Sequence, residues 1–267
     1  MVNLLAAAAL AAAMPATAPF APPLEPALFA IHDADTTIYL FGTFHALDAD
    51  THWFGPSVRA PFEQSDELVL ETLLPEGPGA AQQIGQTVEA RSAKPSASFL
   101  ATTKMAIAAS QSRGMQVDNG ADMVLRHVAE AEGKPVEGLE TLQLQLNMFN
   151  HLHAERPRAT LASAKAGQPV AEESMQDLSA SMAEMQRAWK QGDQSVFVRM
   201  LEQLDDAAPD TYRMMFTERN ARWADWIAAR LQTPGTVFVA VGAGHLAGKD
   251  SVLVRLAEKG IESQRVY

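Results

Sequence analysis

Short apolar runs broken by polar turns alternate along this chain with longer stretches of helical periodicity. Ala27 to Ile31 and Thr36 to Gly42 flank Asp33-Ala34-Asp35 and predict a hairpin with a polar turn. Pro56 to Gln64 predicts a short helix and Glu67 to Glu71 a strand, followed by the loop Pro75-Glu76-Gly77-Pro78-Gly79. From Ala80 to Arg126 the pattern is helical, with breaks at Pro95 and Gly114. Asp122 to Glu132 reads as a helix stopped by Gly133, and Pro135 to Leu139 as a short strand. Helices are then expected over Thr141 to His153, Ala171 to Gln191, Ser195 to Leu204 and Pro209 to Leu231, broken by Gly167, Pro169, Gly192 and Pro209. Val237 to Val241 is a continuous apolar strand, Ser251 to Lys259 an amphipathic helix, and Ile261 to Tyr267 a last strand. The order predicts an α/β (α+β) fold: a central mixed sheet with a large helical insertion at about 141–231, in one domain over residues 27–267.

Composition supports a packed domain. Hydrophobic residues make up 47% of 267 positions and charged residues 20%, enough apolar material for a core. The balance of 21 basic and 32 acidic residues gives −11, which repels phosphate backbones and argues against a nucleic-acid partner. With no cysteine, disulfides, thiolate metal sites and a cysteine nucleophile are excluded. Leu4 to Met14 is an apolar run too short to span a bilayer, and Ala16-Thr17-Ala18 follows with small residues in a cleavage pattern. Residues 1–18 are therefore read as a signal peptide, although the segment before the apolar run carries no Lys or Arg, and 19–26 as a linker. A periplasmic or secreted protein without a membrane span is expected.

The chemistry sits at strand ends. Thr36 to Gly42 runs into Gly42-Thr43-Phe44-His45, and Val237 to Val241 into Gly242-Ala243-Gly244-His245. The other two strands end at Glu71 and Glu140. Open α/β sheets bind ligands beyond the carboxyl ends of their strands, so parallel pairing would bring two imidazoles and two carboxylates to one rim. Each G-x-x-H glycine allows close backbone approach, with Gly42, Gly242 and Gly244 as candidate substrate-facing positions. Taken singly, each has a plain structural explanation: a solvated strand end for Glu71, a helix-starting carboxylate for Glu140, an incidental histidine at either motif.

On the helix from Pro209, Phe216, Trp223 and Ile227 share a core-facing stripe, and Arg219 and Asn220 lie within it. Such an arginine either snorkels outward or is held inside by carboxylates, where it orients Glu71 or Glu140 or meets an oxyanion. His151 and His153 are two apart and point in different directions on a helix. His127 lies on a polar helix face, and His32 and His52 lie near loops. Asp48 and Asp50 are candidates for supporting His45. Met175, Leu178, Met182 and Met185 form a helical stripe that suits core packing or a lid over an apolar ligand.

The chain resembles the TraB/GumN family, which includes the Tiki-type proteins. The resemblance rests on Tyr39-Leu40-Phe41-Gly42-Thr43-Phe44-His45, Glu67-Leu68-Val69-Leu70-Glu71 and Gly120-Ala121-Asp122. It continues through Gly133 to Thr141, Glu218-Arg219-Asn220 with Trp223, and Val239 to Gly248. It implies that the paired G-x-x-H motifs and the acidic residues form the active-site set, with Asp122 at the family's aspartate position. Tiki-type members resemble metal-dependent proteases favouring manganese or cobalt. TraB-type members are tied to shutdown of peptide pheromone signalling, GumN is named from a polysaccharide biosynthesis cluster, and the fold is similar to that of erythromycin esterase and a haem-binding lipoprotein group.

A peptide or ester hydrolase is thus expected. Three of His45, His245, Glu71 and Glu140 would hold a divalent ion such as Mn, Co, Fe or Zn, and the remaining carboxylate would serve as general base. Arg219 and Asn220 would stabilise the oxyanion. Two alternatives stand beside this: a metal-independent His/Glu esterase with His45 as base, and a non-catalytic protein that sequesters a peptide or haem-like ligand.

Overall fold

The computed structural model describes residues 25–73, 111–145, 147–148 and 170–267, the side chains of 170–176 and 178 excepted. The expected signal peptide, the Pro75–Gly79 loop, most of the helical stretch after Ala80, His151, His153, the Gly167/Pro169 break and the Met175 and Leu178 side chains lie outside the described residues.

The hairpin forms as the pattern predicts. Strands β1 (Leu28–His32) and β2 (Thr36–Thr43) pair antiparallel, with Ile31 opposite Ile38. Asp33 Oδ1 accepts from the Thr36 N–H at 2.9 Å and closes the turn. A two-residue strand β3 (Leu47–Asp48) follows, then helix α1 (Pro56–Gln64) and strand β4 (Glu67–Thr72). After β5 (Met115–Gln116), which pairs with β3, come α2 (Ala121–Ala131) and β6 (Val136–Glu140). Helices α3 (Val170–Lys190) and α4 (Ser195–Ala207) precede α5 (Pro209–Tyr212), a π turn over Arg213–Thr217, and α6 (Glu218–Arg230). The chain ends with β7 (Gly235–Gly242), a 3-10 turn over Ala243–Leu246, α7 (Val252–Ala257) and β8 (Gln264–Arg265).

Six of these strands make one mixed sheet in the order β6-β4-β7-β2-β1-β8. The inner run β6, β4, β7 and β2 is parallel, so its four carboxyl ends share one edge. Burial on both faces explains the near-continuous apolar sequences of β2 and β7. Phe41, Leu68, Leu70 and Phe238 pack against Phe62, Leu125, Trp189 and Phe197 from α1 to α4. On the opposite face Ile38, Leu40, Val69 and Val239 pack against Trp223 and Ile227 of α6 and Leu256 of α7.

Four expectations change. Within the stretch expected to be helical up to Arg126, Met115–Gln116 is strand β5 and Val117–Asn119 a 3-10 turn. The single helix over Pro209–Leu231 is interrupted by the π turn, which adds a residue to one turn and leaves no mark on a 3.6-residue pattern. His245 sits inside the 3-10 turn rather than in a loop before a helix. The last strand shrinks to Gln264–Arg265, because its ladder to β1 holds only two residue pairs, at Phe29 and Ala30.

Candidate functional site

Parallel pairing places Thr43 opposite Gly242 and Thr72 opposite Glu140, so the two G-x-x-H segments and the two glutamates meet at one sheet edge. Arg219 lies among them. It is 3% exposed, on the first turn of α6, with its guanidinium 4.6 Å from the Trp223 ring. Its Nε donates to both Glu140 oxygens at 3.1 and 3.0 Å. Nη2 lies 2.9 Å from Glu71 Oε2 and 2.9 Å from Glu140 Oε2. Nη1 faces His245 Nε2 at 3.1 Å and the Met215 carbonyl at 3.4 Å. Arg222 adds a second guanidinium to Glu140 Oε1 at 3.3 Å. Burial works against the charge on Arg219, but Glu71 and Glu140 keep its pKa raised.

These contacts fix the state of His245. Asn220 Nδ2 donates to the Asp250 carbonyl at 2.8 Å, which turns Asn220 Oδ1 toward His245 Nδ1 at 2.6 Å. A guanidinium only donates and a carbonyl only accepts, so one polarity fits the whole chain. His245 carries its proton on Nδ1 and accepts from Arg219 at Nε2. Its ring is 5% exposed, 4.4 Å from Trp223 and 4.8 Å from Phe216 between centroids. Burial, with Arg219 and His45 nearby, lowers its pKa to about 3 against the pull of Glu71. Glu71 is the reverse case. Burial opposes its ionisation, yet His245, Arg219, His45 and the Gly242 N–H bring its pKa down to about 2. With His245 neutral, Arg219, His45 and that N–H, at 2.6 Å from Oε1, carry the effect.

His45 stands opposite, at the open mouth. Gly120 has no room for a Cβ because the His45 carbonyl occupies that space, and the Ala121 N–H donates to the Phe44 carbonyl at 3.0 Å. The start of α2 is thereby clamped to the His45 loop, and Asp122 meets His45 Nδ1 at 3.1 Å. The His45 side chain is 58% exposed. Partial desolvation opposes its charge, but the contact with Asp122 and the field of Glu71 outweigh this and raise its pKa to about 9. Asp48, expected near His45, instead binds Thr51 at 2.6 Å and Gln186 at 2.6 Å.

The glycines serve distinct ends. A Cβ on Gly242 would stand 3.1 Å from Glu71 Oε1 and 3.2 Å from His45 Nε2, so this glycine keeps open the space between the two groups. Gly244 lets the Phe216 ring close in, and a Cβ there would meet it at 3.3 Å. Gly42 lies beneath the turn, its carbonyl accepting from Trp189 Nε1 at 2.6 Å.

The expected metal set does not fit this arrangement. A divalent ion needs unengaged lone pairs converging on one point. Glu140 faces two guanidinium groups, His245 Nε2 faces Arg219, and Glu71 faces Arg219 and an N–H. Among the described residues no group of three or more His, Asp and Glu side chains is disposed to hold a metal ion. Histidines and glutamates at strand ends read as ligands in sequence; here three of the four surround a cationic side chain instead.

A cavity of about 530 Å³ opens from His45, Glu71, Gly242 and His245 into an apolar arm. Met182 and Met185, singled out by their stripe, line it. Met123, Met200, Met215 and Phe197 do as well, and no sequence signal marked them, because they come from different elements.

The profile of the TraB/PrgY/gumN family matches residues 27–101 and 79–265. Comparison with curated proteins gave no match, and neither did comparison with solved structures. The chain belongs to the TraB/PrgY/gumN family.

Proposed function

We propose that this family member is a hydrolase that activates water without a metal, on an ester or amide carbonyl, with His45 as general base. The observation that carries this reading is that Glu71 Oε1 and His45 Nε2 both stand beside Gly242, 3.1 and 3.2 Å from where a Cβ on it would lie, and line the same cavity. Three titratable groups stand there, and their pKa values separate them. Glu71, held near 2, is too weak a base, and His245 is neutral with its lone pair turned to Arg219. His45, at about 9, is protonated at neutral pH and becomes the strong base once it gives up that proton as pH rises toward 9; Asp122, 3.1 Å from Nδ1, keeps the remaining proton there and leaves the lone pair on Nε2.

With His45 neutral, a water hydrogen-bonded to Glu71 Oε1 through one hydrogen, which it keeps, passes its other proton to His45 Nε2 as its oxygen bonds to the carbonyl carbon and the carbonyl oxygen takes up the negative charge. The bond to the leaving oxygen or nitrogen then breaks, and His45 returns its proton to that atom. The N–H groups of Arg219 are already engaged, so its role is to hold Glu71, Glu140 and His245 in place, not to meet the oxyanion directly. Asn220 acts one step further out, through His245. The leader read in residues 1–18 would place the mature enzyme outside the cytoplasm.

Turnover of activated esters by the purified protein under exhaustive chelation tests the proposal. Wild type is expected to hydrolyse them, and His45→Gln to lose activity by about 10²-fold or more. Activity that depends on added Mn or Co, or that survives loss of the His45 imidazole, would overturn it.

A further inference from the structure

We propose that the apolar arm of the cavity holds the unbranched acyl chain of a neutral ester, an inference that relies on the hydrolase reading only for the carbonyl's fate.

The arm is continuous with the space between His45 and Glu71. Its walls include Met123, Met185, Met200, Met215, Phe197 and Phe216, drawn from α2, α3, α4 and the π turn. Thioether side chains are unbranched and turn about three bonds, so converging methionines mould themselves to a flexible chain better than to a rigid ring. The volume of about 530 Å³ lies within the range of small-molecule sites. A peptide laid in this arm would bring an N–H and a C=O with every residue, and the cavity's polar lining outside its head, Thr43, Thr72, Arg126 and Gln145, is too sparse to pair them all. A polymethylene chain carries no such groups.

Charge points to a neutral ester rather than a free fatty acid. Glu71 and Asp122 line the head of the cavity, and the cations beside them are already matched to carboxylates: Arg219 to Glu71 and Glu140, His45 to Asp122, Arg126 to Glu130. A carboxylate beside Glu71 is repelled, which opposes binding of the acid and favours its release after hydrolysis.

The test uses the full protein with p-nitrophenyl esters from acetyl to decanoyl, and calorimetry with the matching straight-chain methyl ketones, which are neutral and not hydrolysed. Both kcat/KM and ketone affinity should rise about fourfold per added methylene until the arm is filled. The double variant Met185→Gln with Met200→Gln should lower the octanoyl-to-acetyl ratio of kcat/KM at least tenfold, melting curves showing that it folds. Hydrolysis with no dependence on chain length, or binding of hydrophobic peptides in preference to long ketones, would overturn the acyl-chain assignment and leave hydrolysis standing. Ketone affinity that climbs with length while no ester turns over would support the assignment and overturn hydrolysis alone. If neither probe binds and no ester turns over, both fall.

Discussion

Replacing Gly242 with alanine places one methyl group in the space where water is proposed to be activated. Gly242 has φ −52° and ψ 136°, a conformation that any residue adopts, so the backbone sets no obstacle. Loss of glycine freedom in the unfolded chain stabilises by about 0.4–1 kcal/mol. Against this stand the contacts of 3.1 Å to Glu71 Oε1 and 3.2 Å to His45 Nε2, both side-chain ends. His45 is at the open mouth and can yield, whereas Glu71 is tied to Arg219 and the Gly242 N–H. Overpacking at a rigid site costs about 1–3 kcal/mol, and relaxation of one neighbour puts the expected value at the low end. Net stability should therefore change by no more than about 1 kcal/mol. Activity should fall by about 10²-fold, since a displacement of an ångström at reacting atoms costs that much. Thermal melting paired with kcat/KM on one ester reads both. A folded Gly242→Ala protein within about threefold of wild-type activity would refute the placement of water between His45 and Glu71.

Removing Arg219 as Arg219→Met leaves Glu71 and Glu140 buried without their shared partner, so denaturant melts should show a loss of about 3–5 kcal/mol. Arg219→Lys should recover little of this, because an ammonium cannot reach both carboxylates and the imidazole at once. Acid should unfold the protein through two groups. Glu71, shifted from 4.5 to about 2, contributes stability present above its unfolded pKa and lost as pH falls through the folded one. His245, shifted from 6.5 to about 3, makes the folded state progressively less favoured as pH drops below 6.5. His45 has the opposite sign: its contribution is complete below 6.5 and fades as pH rises through about 9. Stability measured against pH should peak near neutrality, and Glu71→Gln should flatten the part of the acid limb between pH 4.5 and 2.

Much of this geometry was legible in the sequence. The strands carrying Gly42 and Gly242 are continuous apolar runs because the parallel centre of the sheet is buried on both faces, and that same burial brings the four strand ends to one edge. Arg219 and Asn220 were visible as polar residues inside an aromatic stripe, and both are buried. What the sequence left open is which cation the carboxylates hold. Glutamate and histidine lone pairs accept a metal or a guanidinium equally well, and the choice depends on Arg219 reaching Glu71 across 148 positions of chain. The π turn and the contributions of Met123, Met200 and Met215 were hidden for a related reason. They depend on how separate helices converge, and no local period encodes that.

The pH dependence of kcat/KM for wild type and Asp122→Asn, both under exhaustive chelation, tests the assignment of His45 as base most directly. Wild type should keep its activity and rise with pH to a plateau above about 9; Asp122→Asn, lacking the carboxylate that raises His45, should titrate at lower pH with a plateau at least tenfold lower. Coincident profiles for the two proteins, or activity that vanishes with chelation and returns with a divalent ion, would contradict it.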